Sequence, residues 1–212
     1  RSTGDFMFTK KDFQTPLGKA EIDHELLAET EKNTNITYDD IAHYKEHSIE
    51  FHLLFLQHLL PNKNVKIVPI LTGSPAHYIS DKTAPDSNEE YNNTVAAIKD
   101  AIATTGKKVL ILSSGDLSHV GRKFGDDFPA ATQQIRIKGE DKLLIEKLTS
   151  TDKNAFFTQI SEIEDKNRIC GTAPFYSALY LADATEVTPA GYNQWYEEET
   201  ESMVSFAGFL VV

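Results

Sequence analysis

The chain has 212 residues, with 21 basic against 32 acidic side chains and a formal charge of −11. So strong an acidic bias argues against a general affinity for nucleic acid or an anionic membrane, because the long-range field repels phosphate. The lone Cys170 excludes an internal disulfide and any multi-cysteine zinc site, and no apolar run approaches the roughly 18 residues that span a bilayer.

Phe6-Met7-Phe8 opens the chain in extended form. Phe13 to Gly18 follows, with Pro16 and Gly18 marking a turn. Asp23 is placed to N-cap a helix over 24–31, and the polar stretch 33–43 reads as loop. Ile49, Leu53, Leu56 and Leu60 recur at helical spacing, with Pro61 as the stop. Val65 to Leu71 reads as a buried strand ending at Gly73, and the turn-rich residues 74–91 as an exposed excursion. A helix is predicted over 95–103 and a second apolar strand over 107–112. Further helices are expected around 131–149, 152–163 and 173–182, and the run 204–211 is too apolar for an edge strand. Apolar strands alternating with amphipathic helices predict an α/β fold on a mixed, largely buried sheet flanked by helices. The composition shows no linker, so a single domain over 1–212 is expected. The opening residues show no signal segment, and with no disulfide available the expected location is cytoplasmic.

Three constellations carry candidate chemistry. In Glu46-His47-Ser48-Ile49-Glu50-Phe51-His52, His47 and Glu50 are three apart and share a helical face, so one ligand or metal could meet both. The plainer reading is an acidic helix N-terminus with half-exposed histidines. Ser113-Ser114-Gly115-Asp116-Leu117-Ser118-His119 follows an apolar strand, and ligands of open α/β sheets bind beyond the carboxyl ends of strands. There His119 could exchange a proton while Asp116 orients its ring, with Ser114 beside them. The alternative is a local turn that merely ends the strand. Cys170 precedes a helix, where a thiol can become a nucleophile or ligand, or simply fill the core. The acidic run around Glu197 reads as a solvated loop from which one carboxylate could reach the site. Neighbouring Trp195 could line a pocket or plug the sheet edge. The phosphate-cradling glycine motifs and His-Glu-x-x-His are absent.

Taken in order, Thr15-Pro16-Leu17-Gly18, Glu46-His47-Ser48-Ile49-Glu50-Phe51-His52-Leu53, Lys66-Ile67-Val68-Pro69-Ile70-Leu71-Thr72-Gly73, Ser114-Gly115-Asp116-Leu117-Ser118-His119-Val120-Gly121, Cys170-Gly171-Thr172-Ala173-Pro174 and Val204-Ser205-Phe206-Ala207-Gly208 resemble the Memo family. Its microbial members are called AmmeMemoRadiSam system protein B. The resemblance covers nearly the whole chain. It implies a fold similar to class III extradiol dioxygenases, which use non-haem iron, and a metal-binding redox protein holding iron or copper. By that resemblance His119 is a pocket acid–base group oriented by Asp116, and His47 and Glu50 line the same pocket. Two histidine motifs of the family, Pro-His-Ala-Gly-Tyr and Gly-Pro-x-His, are expected upstream of Arg1 together with a first strand–helix unit. Cys170 matches the family's Ile-Cys-Gly motif and is assigned to the pocket. No cysteine follows it, so Glu197 is the candidate substitute for a late ligand cysteine, and the metal-ligand candidates are His47, His119 and Glu197.

The resulting expectation is a metal-dependent oxidoreductase acting on a small molecule, with a radical SAM protein as partner by family association. A peptide- or protein-binding module without catalysis is the rival, because animal members are regarded as adaptors. A metal-dependent hydrolase would use the same residues.

Overall fold

The computed structural model describes residues 4–61 and 63–212. In chain order its elements are β1 (Phe6–Phe8), β2 (Phe13–Thr15), β3 (Gly18–Ala20), α1 (His24–Glu31), α2 (Asp40–Tyr44), α3 (Ser48–Leu59), β4 (Ile70–Thr72), α4 (Ala76–Asp81), α5 (Glu89–Thr105), β5 (His119–Gly121), α6 (Gln134–Thr149), α7 (Lys153–Glu162), α8 (Thr172–Ala182), β6 (Val187–Glu197) and β7 (Ser202–Val211). The class is α/β, with the strands in three small sheets. Two compact units divide the chain. One comprises Arg1–Ser74 and Pro85–Ser114, the other Pro75–Ala84 and Gly115–Val212. Among the described residues no helix is long and apolar enough to cross a membrane.

In the first unit β2 and β3 form a hairpin around Pro16-Leu17, with Thr15 opposite Gly18. Gly18 sits at φ +131°, a conformation that side chains with a Cβ rarely adopt. Asp23 caps α1 by accepting the Leu26 N–H at 3.0 Å, and both its oxygens accept from Lys107 Nζ at 2.6 and 2.8 Å. Helix α5 starts at an Asn88 cap and ends on Gly106 in the left-handed region. Its buried Tyr91, Thr94, Val95, Ile98 and Ala101 follow helical spacing, and the helix packs on α1 through Leu26, Leu27 and Thr30.

Several local readings change here. The stretch 33–43, expected as loop, holds most of α2, because the Asp39 carboxylate caps the Ala42 N–H. From Val65 to Leu71, only Ile70 and Leu71 join the ladder of β4 against β1, while Ile67 makes an isolated bridge to Ile22. Residues 107–112 form no strand, and Leu110 is 71% exposed. An apolar run becomes a strand only when a neighbour takes up its backbone groups, and none does so among the described residues. Helix α3 forms as predicted, but buries only Leu53 of its apolar side chains.

In the second unit β7 lies between β5 and β6 only over its first residues: β5 pairs with Ser202–Val204, and the Leu117–Ser118 backbone bonds Ser205. Residues 206–211 pair with β6 alone and leave Phe206, Leu210 and Val211 exposed, so most of the run expected to be too apolar for an edge strand has one strand partner among the described residues. Its partner β6 is a ten-pair antiparallel ladder that the acidic, aromatic sequence did not disclose. The row Val120, Met203, Tyr196 faces a core shared with Ala130 and Ile137. The alternate row His119, Val204, Trp195 lies on the opposite face, as the period of two demands. Helices α6, α7 and α8 pack in succession through Leu144, Leu148, Phe156, Phe157, Ile160, Tyr176 and Leu179. Part of the segment expected to be exposed is buried as well: α4 packs Tyr78 and Ile79 inside this unit, and the Ile79 carbonyl accepts from Ser161 Oγ at 3.3 Å.

Candidate metal centre

The site is built where residues 115–119 lie against residues 165–171 in the second unit. Two glycines permit the approach. A Cβ on Gly115 would stand 2.6 Å from the Gly171 Cα, and one on Gly171 would stand 2.8 Å from the Asp116 carbonyl oxygen. Neither position tolerates a side chain without a shift of backbone. The two segments are then joined by main-chain bonds. Gly171 N–H donates to Asp116 O at 2.8 Å, and His119 N–H donates to Asn167 O at 2.7 Å.

This pairing delivers three ligand-type atoms to one place. An Asp116 carboxylate oxygen, a His119 ring nitrogen and Cys170 Sγ all lie within 4.8 Å of one another, the one such group among the described residues. Asp116 Oδ2 is 3.7 Å from His119 Nε2. Cys170 Sγ accepts the Asp116 N–H at 3.0 Å and lies just before the N-terminus of α8. The same sulfur donates to the Asp116 carbonyl oxygen at 3.7 Å, so it sits between a main-chain donor and a main-chain acceptor of one residue.

The other ring nitrogen settles the tautomer. His119 Nδ1 lies 2.9 Å from Arg168 O and 3.2 Å from Leu117 O. Carbonyl oxygens only accept, so Nδ1 carries a proton, and Nε2 is the ring nitrogen left facing Asp116. A carbonyl behind the ring nitrogen is the usual outer support of a metal-binding histidine. The ring is thus oriented from behind by main-chain carbonyls, whereas Asp116 faces Nε2. Phe124 packs edge-on against the imidazole, ring centroids 5.1 Å apart.

Beneath this surface lies a buried network. Ser118 Oγ donates to Asp141 at 2.6 Å and Tyr192 OH donates to the same carboxyl group at 2.8 Å. Burial pushes the Asp141 carboxyl up, and the hydroxyl donors only partly offset it. The network fixes Ser118, which precedes His119, through a further bond from its N–H to Ser205 Oγ at 2.9 Å.

The remaining residues singled out in the sequence lie as follows. Glu197 accepts from Lys123 Nζ at 3.1 Å and from Thr200 Oγ1, and Trp195 is exposed on the His119 face of the sheet. His47, Glu50 and Ser114 belong to the first unit. There the Glu46 carboxylate accepts the His47 and Ser48 N–H groups at 2.8 and 2.9 Å, which is the acidic helix start of the plainer reading. Sequence reasoning missed Arg168, Asn167, Asp126 and Asp141. Only the glycines adjoining Asp116 and Cys170 signalled the pairing of the two segments.

Comparison with known proteins places this geometry in a family. A model described as Memo-like protein matches residues 4–210. A MEMO1 family protein of Thermococcus kodakarensis is 35% identical over 209 residues, covering 92% of this chain and 67% of the relative. One from Aquifex aeolicus is 29% identical over 204 residues, covering 94% and 50%. A third, from Pyrococcus furiosus, is 29% identical over 217 residues, covering 97% and 70%. The chain spans half to 70% of the length of these three relatives. It belongs to the Memo-like protein family.

Proposed function

We propose that this protein is a metal-dependent enzyme of the oxidoreductase type, acting on a small molecule at Asp116, His119 and Cys170. The observation that supports it is the convergence of three ligand types within 4.8 Å, with the far nitrogen of the histidine already committed to carbonyls. The donor set fits the proposed group. Thiolate and imidazole select transition metals over magnesium or calcium. Iron or copper, when bound, supplies Lewis acidity and one-electron chemistry. Cys170 Sγ and His119 Nε2 would hold the ion, and Asp116, with its side chain 49% exposed, would be the donor open to exchange. Phe124 shields one edge of the imidazole from water.

The test is elemental analysis of protein purified without chelators from iron- and copper-replete medium. About one ion per chain in the native protein, lost in His119→Ala and in Cys170→Ser, is the expected result. Equal metal content in all three proteins would refute it. The rival binding module draws on one observation: Trp195, Phe206 and Leu210 are exposed apolar side chains of the β6–β7 hairpin. Capture of a protein ligand that survives both chelation and His119→Ala would favour that reading.

A further inference from the structure

Residues 167 and 168 do more than carry the chain toward Cys170. They hold His119 at three points: the Asn167 carbonyl accepts its N–H at 2.7 Å, the Arg168 carbonyl accepts from Nδ1 at 2.9 Å, and the Arg168 guanidinium donates to its carbonyl oxygen at 3.1 Å. Arg168 does this at φ +54°, in the left-handed region where glycine is the easier residue. The guanidinium is anchored in turn. It donates to both oxygens of Asp126, at 2.6 and 3.2 Å, and Asp126 also accepts the Gly121 N–H at 2.8 Å. The fork of Arg168 thus ties the loop beside Cys170 to both ends of β5.

We infer that Arg168 is a positioning residue for His119: its carbonyl selects the Nδ1–H tautomer, and its guanidinium, locked by Asp126, keeps that carbonyl in place. The inference rests on the reading above that Nε2 is the ligand atom. An arginine kept in a glycine conformation, with four of its hydrogen bonds leading to one histidine or to the carboxylate that steadies it, is accounted for by this role. A strut between two loops would need only the ion pair.

Two variants separate the parts. Arg168→Gly keeps the left-handed backbone and the carbonyl but removes the guanidinium, so the fold is preserved. Asp126→Asn keeps the shape and removes the charge. Nitrogen-15 NMR of the imidazole, at about pH 8 where a free imidazole is neutral, reads the tautomer without any metal. Titration with Co²⁺ reads the site, and a thermal melt reads stability. The native protein is expected to show the single Nδ1–H tautomer, and both variants a mixture with Co²⁺ affinity lowered about tenfold. Variants that melt lower yet keep the tautomer and the native Co²⁺ affinity would overturn the inference. If the tautomer shifts but even the native protein binds no Co²⁺, the positioning role stands and the metal reading fails. If the native protein binds Co²⁺ and the tautomer does not move, the metal reading stands and the positioning role fails.

Discussion

Two histidines singled out by similar sequence logic end in different surroundings. His47 stands at the head of α3 with its side chain 75% exposed, 3.5 Å from the adjacent Glu46 and edge-on to Phe51 one turn along. His119 has a side chain 16% exposed, and the carbonyl that orients its ring comes from a residue 49 positions away. Each has a carboxylate three residues away in sequence, Glu50 for His47 and Asp116 for His119. What distinguishes them is the main chain of a distant loop, which fixes one ring and leaves the other to its own helix. Residue type and spacing treat the two histidines alike; distant backbone groups hold only one of them in a single orientation.

The comparison is broken most severely at His119 and Cys170. Replacing either is expected to weaken Co²⁺ binding by more than the roughly 100-fold at which changes around a ligand reach their limit. The thermal midpoint should move little, since Cys170 is exposed and the loss at His119 is about one hydrogen bond, ~1 kcal/mol. Co²⁺ affinity within tenfold of native in both variants would put the ligands elsewhere. Next comes the close approach that creates the site. Gly171→Ala brings a methyl group to 2.8 Å from the Asp116 carbonyl oxygen and 2.3 Å from Phe175 Cε2. It is expected to cost about 1–3 kcal/mol in urea unfolding and to lose metal along with stability. An unchanged urea midpoint would show that the two segments have slack.

A smaller effect separates the two units by the sign of their pH dependence. Burial would raise the Asp23 carboxyl, but the Lys107 ammonium and the Leu26 N–H outweigh it and hold it below the ordinary carboxylate value. Its contribution is therefore complete above the unfolded value of about 3.9 and is lost as pH falls through the lower folded value. Asp141 is the reverse case, raised by burial among hydroxyl donors. Its folded form holds the proton more tightly, so stability falls as pH rises from about 3.9 through the raised value. Urea midpoints measured against pH should accordingly shallow on the acid side for Asp23→Asn and shift in the opposite sense for Asp141→Asn. Parallel curves for the two variants would contradict the assignment. Smallest of all is His47→Ala, expected to change stability by no more than about 0.5 kcal/mol and to leave metal content unaltered. Loss of metal in that variant would erase the contrast between the two histidines.

The elements that the sequence revealed are those whose signal is local. Asp23 as a cap, Pro16 and Gly18 as a turn, and the apolar spacing along α5 to α8 each act over a few residues, although the start of α5 at its Asn88 cap lies inside the stretch 74–91 expected as an exposed excursion. Strands were harder, because an apolar run cannot show whether a partner exists. Val204 to Val211 found β6 along its length and a second neighbour only at its start, whereas Val109 to Leu112 found none among the described residues. Strand β6 was hidden for the converse reason. It is long and mostly exposed, so it carries Asn193, Gln194 and Glu197 rather than an apolar pattern.

In the site, Asp116, His119 and Cys170 were all visible as chemistry-bearing residues beside flexible glycines. The sequence by itself determined the family, the α/β class and those three side chains, because each rests on residue identity or on short-range periodicity. Tertiary structure decided that Cys170 stands with Asp116 and His119, that His119 protonates on Nδ1, and that Arg168 and Asp126 stand behind it. Those facts depend on carbonyl and amide groups, which every residue possesses and no sequence pattern distinguishes. They acquire meaning only when the fold brings two distant stretches of main chain within hydrogen-bonding distance.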